Sequence, residues 1–354
     1  MKILLLLGDF GMPSLDALLA SPHRPACVVI ATATAAPMAR RPGEVIRARI
    51  RPVLWPKTPA PLPRDLHPWM APAILERVGI PHVKATTLDA SDLSRLISTH
   101  QAELLLSIGY PKILPPLLLA AAPRGGLNVH PSLLPKYRGP SPVFWQVALG
   151  ETRTGVTIHR LTAGADEGPI LFQAETGIGP EETAGAMFIR LARLAARHIP
   201  ATLDRLETGG VVERPQDPAA ASSQRRFRDE DSLIDWSRPA QDLARLVRGC
   251  NPFPGARTYL ADGEGVRIWR AKALPGPASP RCGVVVAVRR SSFDVVTGAG
   301  TLRVGTATSD RGHRFPAWGR PWPALRLGTM CTSALSVSNP PGETPFYAAE
   351  GHPG

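Results

Sequence analysis

The chain is poor in lysine and has no paired cysteines, and both shortages narrow what it can be. Cys27, Cys250, Cys282 and Cys331 are its four cysteines, far apart and with no C-x-x-C pair. That spacing argues against a disulfide framework or a zinc site and suits a reducing compartment. No G-x-G-x-x-G follows the first strand-like run, so a dinucleotide site is not supported. The apolar run Ile3–Leu7 is too short for a signal-peptide core or a membrane span, and Asp9 follows it closely. A soluble, cytoplasmic chain with no membrane partner is expected. The net charge is +12, yet 35 of the 41 basic residues are arginine, the lysines being Lys2, Lys57, Lys84, Lys112, Lys136 and Lys272. With abundant Ala, Pro and Gly, such a skew fits compositional bias as well as it fits an anionic substrate. The length of 354 residues suggests about two domains, and 44% hydrophobic content is ordinary for a globular protein.

What is present concentrates between Gly126 and Leu171. The first part reads G-L-N-V-H-P-S-L-L-P-K-Y-R-G-P-S-P, and T-G-V-T-I-H-R-L-T-A-G-A-D-E-G-P-I-L follows after a gap. Leu127 and Val129 predict a buried strand that breaks at Pro131. Residues two apart in a strand share a face, so Asn128 and His130 project together. An amide beside an imidazole at the end of a buried strand is costly unless both hydrogen-bond or do chemistry. Thr154–Arg160 predicts a second strand, and the loop Thr162–Gly168 carries Asp166. Amide, imidazole and carboxylate suit acyl transfer, as oxyanion stabiliser, proton shuttle and a group that tunes the shuttle. A buried Asn–His hydrogen-bond pair without chemistry is the alternative.

At these residues the sequence resembles the folate-dependent formyltransferase family, most closely its methionyl-tRNA formyltransferases. The shared signature is Asn128, His130, Ser132, Leu133, Leu134 and Pro135, followed by Asp166 in D-E-G-P-I-L. The resemblance implies a formyl donor, 10-formyltetrahydrofolate, and no metal. It assigns catalysis to Asn128, His130 and Asp166. It places the folate against Tyr110, Pro111, Lys112, Ile113 and Leu114, against Ser132, Leu133, Leu134 and Pro135, and against Thr162, Ala163, Gly164 and Ala165.

The rest of the chain reads as α/β, with a doubly wound, mostly parallel sheet and a smaller C-terminal OB-like β-barrel domain. Lys2–Leu7 is a continuous apolar run of the kind a parallel strand covered on both faces requires. Gly8, Asp9 and Gly11 turn the chain, Pro13 opens a helix, and Ala26–Ala31 is a second strand. A helix at Ala73–Val78, a strand at Ile80–Val83, a helix at Leu88–His100 and a strand at Glu103–Ile108 follow. Gly109–Pro115 then lies at a strand's carboxyl end, where open parallel sheets bind ligands. Further helices are expected from Gly139 through about Leu149 and over Thr183–Glu207. The domains expected are 1–207, a linker at 208–227, a second domain at 228–308 and an irregular tail at 309–354. Ser232-Leu-Ile-Asp-Trp and Asn251-Pro-Phe-Pro-Gly-Ala flank a helix over Ala240–Arg248. They resemble the segments that join the two domains of methionyl-tRNA formyltransferases. Short strands are expected at Val266–Lys272, Gly283–Val288, Phe293–Thr297 and Thr301–Thr306.

The acceptor stays open at this level: methionyl-tRNA, a small-molecule amine on a sugar nucleotide or a hydroxyornithine-type metabolite, or water in a hydrolase. The segment 32–72 is rich in proline and carries Arg40, Arg41, Arg47, Arg49 and Arg51, where the tRNA enzymes have a basic loop. A plain surface insertion is the other reading. If these arginines contact tRNA phosphates, neutralising two of them weakens tRNA use. It also flattens the salt dependence of binding by roughly one unit of slope per lost contact. A salt titration of tRNA binding measures this, and an unchanged slope would favour a small acceptor.

Overall fold

The computed structural model describes residues 1–31, 70–85, 88–315 and 331–332. The arginines Arg40 to Arg51 and the tail from Pro316, apart from Cys331 and Thr332, lie outside the described residues.

The first strand, β1 (Ile3–Leu7), is 0–1% exposed at every position. An uninterrupted apolar strand has no solvated face, so it must sit in the middle of a covered sheet. It pairs in parallel with β2 (Cys27–Ile30) on one side and β4 (Leu104–Ile108) on the other. Beyond them come β3 (His82–Lys84), β5 (Gly126–His130), β6 (Arg153–Arg160) and β7 (Ile170–Gly177), in the order β3-β2-β1-β4-β5-β6-β7. Strands β1 to β5 are parallel, and β6 and β7 are added antiparallel. The chain winds outward from β1 in both directions, which opens a crevice beyond the carboxyl ends of β1 and β4.

Packing of the two turns at that crevice is tight. The Gly8 N–H donates to the Ile108 carbonyl at 2.9 Å. A Cβ on Gly8 would lie 1.9 Å from the Gly109 carbonyl oxygen, and Gly109 itself takes φ +70°. The helix Met12–Leu19 starts with Pro13 in its first turn and packs against the long helix Ala184–Glu207. That long helix buries Met187, Leu191, Ala195, Ile199 and Leu203, one face at helical spacing. The Thr183 side chain accepts the Ala186 N–H and caps it.

Most expected elements are present with small boundary shifts. The third strand occupies His82–Lys84 rather than Ile80–Val83. Ile80 is used to close the helix Ala71–Val78: its N–H donates to the Leu75 carbonyl while Gly79 adopts φ +70°. The helix Pro116–Ala121 and the strands β7 and Ala256–Leu260 have no counterpart among the expected elements. Six residues are too few for helical periodicity to show, and β7 alternates irregularly because it ends the sheet.

Two compact units emerge, Met1–Gln146 with Glu151–Arg226, and Val147–Gly150 with Phe227–Gly354. Of the segment 208–227, expected as a linker, the residues up to Arg226 belong to the first unit. Arg214 exchanges backbone hydrogen bonds with Ile170 at 2.7 and 2.9 Å, and Arg138 bridges to Ser223. The second unit contains β8 (Ala256–Leu260), β9 (Gly265–Ala278), β10 (Val285–Val288), β11 (Phe293–Val296), β12 (Ala299–Ser309), β13 (Arg314–Phe315) and β14 (Cys331–Thr332). All pair antiparallel in the order β10-β11-β12-β9-β8-β14, with β13 on β12. Register shifts along the long β9–β12 pair coil the sheet into the OB-like half-barrel. Sheet structure therefore continues past residue 308, where an irregular tail was expected. The helix Ala240–Gly249 turns Leu243, Leu246 and Val247 inward and packs on β9. Trp236 of the I-D-W segment is buried and donates from Nε1 to Thr258 Oγ1 at 2.9 Å. Among the described residues no helix is long and apolar enough to cross a membrane.

Gly8→Ala forces its methyl group into the Gly109 carbonyl, and neither backbone segment can swing aside as a flexible side chain would. A loss of about 1–3 kcal/mol is expected, as for other overpacking changes. Denaturant unfolding of the variant against the parent measures it.

Candidate active site

Strand β5 delivers Asn128 and His130 to one face. Asn128 pairs across to His159 of β6, and His130 pairs to Thr157, so His159 and Thr157 stand on that same face. The loop between β6 and β7 brings Asp166 over them. Asp166 takes φ +56°, a left-handed backbone that a non-glycine residue holds only when its surroundings impose it.

Those surroundings are a shell around one carboxylate whose side chain is 14% exposed. Asp166 Oδ1 accepts from Asn128 Nδ2 at 3.1 Å and lies 3.3 Å from His159 Nε2. Oδ2 accepts the Gly139 N–H at 2.9 Å and lies 3.5 Å from His130 Nδ1. Burial opposes the charge on Asp166. The neighbouring imidazoles and the Gly139 N–H outweigh it and hold the carboxyl well below the usual carboxylate range. Gly139 is required at its position: its φ is +89°, and a Cβ would lie 2.7 Å from the Gln224 carbonyl oxygen.

His130 has a defined tautomer. Its Nε2 lies 2.8 Å from the Tyr137 carbonyl, an acceptor only, so Nε2 carries a proton. Nδ1 is then the ring atom free to take up a proton, beside the carboxylate. Burial lowers the His130 pKa, the Asp166 charge and the Tyr137 carbonyl raise it, and a charge on His159 lowers it; the net direction is down. The imidazole is thus neutral near pH 7, the state a general base needs.

The three residues open into a cavity of about 510 Å³. The turn Tyr110–Leu114 lines one side, all five residues taking part, and Thr162, Gly164, Ala165 and Asp166 line another. Two loops about fifty residues apart in sequence therefore line the same cavity. Ala163 is exposed and does not line the cavity. Ser132, Leu133, Leu134 and Pro135 are not among the residues that line it. After Pro131, which does line the cavity, their polar groups bond within the loop and to β6 and β7. Ser132 is fully buried, its hydroxyl donating to the Lys136 carbonyl at 2.7 Å. Its carbonyl accepts from Thr157 Oγ1 at 2.7 Å, and Gln173 Nε2 donates to the Leu134 carbonyl at 2.9 Å.

Other lining residues carried no sequence signal. Phe10 and Phe188 come from opposite ends of the first unit and meet edge to face at 5.2 Å. Ser107, Val143, Leu161 and Arg226 also face the cavity. His159 lay in plain view in T-I-H-R, but only the strand pairing reveals that it shares the face of Asn128. Among the described residues no group of three or more His, Cys, Asp or Glu is placed to hold a metal ion.

The segment 208–226 secures the Asp166 loop. Gln216 Nε2 donates to the carbonyls of Asp166 at 2.7 Å and Gly168 at 2.8 Å, while its Oε1 accepts from Arg138 Nε and Nη2. One side chain thereby ties both flanking loops together.

Comparison with known proteins finds the same order of parts. Residues 15–203 match the family model described as formyl transferase, and residues 226–318 match the formyl transferase C-terminal domain. The chain is 34% identical over 252 residues to a methionyl-tRNA formyltransferase of Marinobacter nauticus, covering 71% of this chain and 81% of the relative. It is 32% identical over 332 residues to that of Pelotomaculum thermopropionicum, covering 92% and 97%. Among solved structures, the N-formyltransferase from Helicobacter canadensis, crystallised with folinic acid and dTDP-3-aminofucose, superposes with a TM-score of 0.59. Its identity is 14%, over 86% of this chain and 98% of that one, a likeness of fold.

Gln216→Ala strands two loop carbonyls and removes two hydrogen bonds from the Arg138 guanidinium, which keeps its ion pair with Glu167 at 3.7 Å. The expected loss is about 1–3 kcal/mol, the usual range for leaving such groups unsatisfied. Hydrogen exchange should rise most around residues 164–168, and a uniform rise across the first unit would contradict a local clamp.

Proposed function

The chain belongs to the formyl transferase family, and on that footing we propose that it transfers a formyl group from 10-formyltetrahydrofolate to the amino group of methionyl-tRNA. The observation that carries this reading is the convergence of Asn128, His130 and Asp166 on a cavity bounded by the Tyr110–Leu114 and Thr162–Asp166 loops. Two backbone-rich loops facing each other suit a flat pterin, whose edge is read by backbone donors and acceptors. The methionyl acceptor rests on the names of the relatives at 32–34% identity. Lys112 and Arg226 line the cavity together with Asp9 and Asp166, so two cations face two carboxylates there.

The chemistry follows from the site. The acceptor amine attacks the formyl carbon, forming a C–N bond, and negative charge gathers on the formyl oxygen. Asn128 donates from Nδ2 to that oxygen, an interaction often worth about 3–4 kcal/mol per donor. His130 takes the proton from the attacking nitrogen at Nδ1. Asp166 and the Tyr137 carbonyl hold the resulting imidazolium from its two ends. The bond from the formyl carbon to the folate N10 then breaks, and the proton passes to N10. Tetrahydrofolate and the N-formylated acceptor leave, and His130 is neutral again.

His130→Ala and Asn128→Ala should each lower the formylation rate by about two orders of magnitude or more. Their folding should persist, because both side chains end at a strand terminus. The assay offers methionyl-tRNA and an amino-sugar nucleotide in parallel with the same folate donor. Formylation of the sugar nucleotide alone would reassign the acceptor, and formate release without either amine would make the chain a hydrolase.

Asp166→Asn removes the charge that offsets burial of His130, so the His130 pKa falls further. The acid limb of the rate profile, set by protonation of that base, should move to lower pH while the plateau drops. A profile of kcat/KM against pH checks the sign, and a shift toward higher pH would contradict the assignment.

A further inference from the structure

We propose that His159 is a positioning residue for formyl transfer, holding the Asn128 amide by its Nδ2 end at the corner of the cavity. This rests on the function proposed above and goes beyond the amide, imidazole and carboxylate that define the site.

The ring of His159 is 1% exposed and cannot turn to solvent. Its Nδ1 lies 2.8 Å from the Arg160 carbonyl, which can only accept, so Nδ1 carries a proton and the ring is anchored at that end. Nε2 is therefore the atom presented to the site, 3.2 Å from Asn128 Nδ2 and 3.3 Å from Asp166 Oδ1. A buried histidine with only a structural role would end on a core carbonyl or hydroxyl at both nitrogens. Here the second nitrogen ends on two groups of the reacting constellation and on no other.

The consequence falls on Asn128. Terminal amide torsions are broad, and an amide can also present its oxygen where its nitrogen is needed. The Asp166 carboxylate at 3.1 Å repels an amide oxygen and so favours Nδ2 at this corner. One hydrogen bond leaves the amide free to pivot about it; a second acceptor at Nε2 fixes its plane. Asn128 Nδ2 lies 3.1 Å from Asp166 Oδ1 and 3.2 Å from His159 Nε2, which are themselves 3.3 Å apart, so both acceptors share one side of the amide nitrogen and its other hydrogen is left for the cavity, where the oxyanion develops. Without His159 the donor is present but poorly aimed, and small misplacements of a catalytic group cost large factors in rate.

The test compares the full-length chain with His159→Phe and His159→Gln, each alone and each combined with Asn128→Ala. Binding of 5-formyltetrahydrofolate serves as the check that the cavity is intact. In the parent background, His159→Phe should lower kcat about tenfold while the folate Kd stays within about twofold. His159→Gln, whose side-chain carbonyl can accept from Asn128, should recover most of that loss. In the Asn128→Ala background, His159→Phe should cost little more, because the group it positions is gone. Full kcat in a folate-binding His159→Phe variant would overturn the inference. So would an undiminished tenfold loss on top of Asn128→Ala. If the phenylalanine ring abolishes folate binding, His159→Leu takes its place in the same cycle. A parent chain that formylates no amine would sink the proposed function itself, a result distinct from active His159 variants.

Discussion

The site depends on keeping one carboxylate charged inside the protein. Asp166 sits on a left-handed backbone in a nearly buried loop, and water alone would not hold it there. Two donors bond it, the Asn128 amide and the Gly139 N–H, and two imidazoles stand beside it. Asn128 and His130 come from β5, His159 from β6 and Gly139 from the loop after β5, so the carboxylate is where two strands and two loops are forced into register. The charge then acts outward. It offsets the cost of protonating a buried His130, and it excludes the oxygen of the Asn128 amide from the corner it faces. A carboxyl held below its ordinary range stabilises the fold above that range. It loses that contribution as pH falls through the depressed value, so the same interaction links catalysis to acid stability.

The loop must also be held from outside, and the segment after the long helix Ala184–Glu207 does this. Its composition of Gly, Pro, Ala and Ser reads as linker because none of these residues buries much apolar surface. Yet Arg214 pairs with Ile170, Gln216 ties the Asp166 and Gly168 carbonyls to Arg138, and the Arg225 carbonyl accepts from Trp145 Nε1 at 2.8 Å. Irregular chain thus secures the site through backbone and amide hydrogen bonds, a role that composition does not reveal. On the opposite wall the close approach of Gly8 to Gly109 sets the turn that carries Tyr110–Leu114. Small residues there let two strand ends converge on one crevice.

Several features were legible in the sequence for identifiable reasons. β1 announces itself because a strand buried on both faces must be apolar at every position. Asn128 and His130 announce themselves because polar side chains two apart at the end of such a strand need partners. Gly164 marks a loop, and the stripe of Met187, Leu191 and Leu203 marks a helix face. These are local rules with periods of two or three to four residues, and sequence displays local rules directly. What the residues of the motif Ser132–Pro135 bond to was not legible: the Ser132 and Leu134 carbonyls join a network with Thr157 and Gln173, which lie on other strands.

The sequence by itself determined the α/β pattern, the amide–imidazole pair, the carboxylate downstream and the two loops fit to face one another. Only the tertiary structure decided which His159 atom meets Asn128, that Phe10 and Phe188 close one cavity wall, and that Gln216 clamps the loop. The physical reason is that strand pairing and loop docking join residues separated by tens to hundreds of positions. Hydrogen bonds of that kind leave no periodic trace along the chain and exist only once the sheet has set its register.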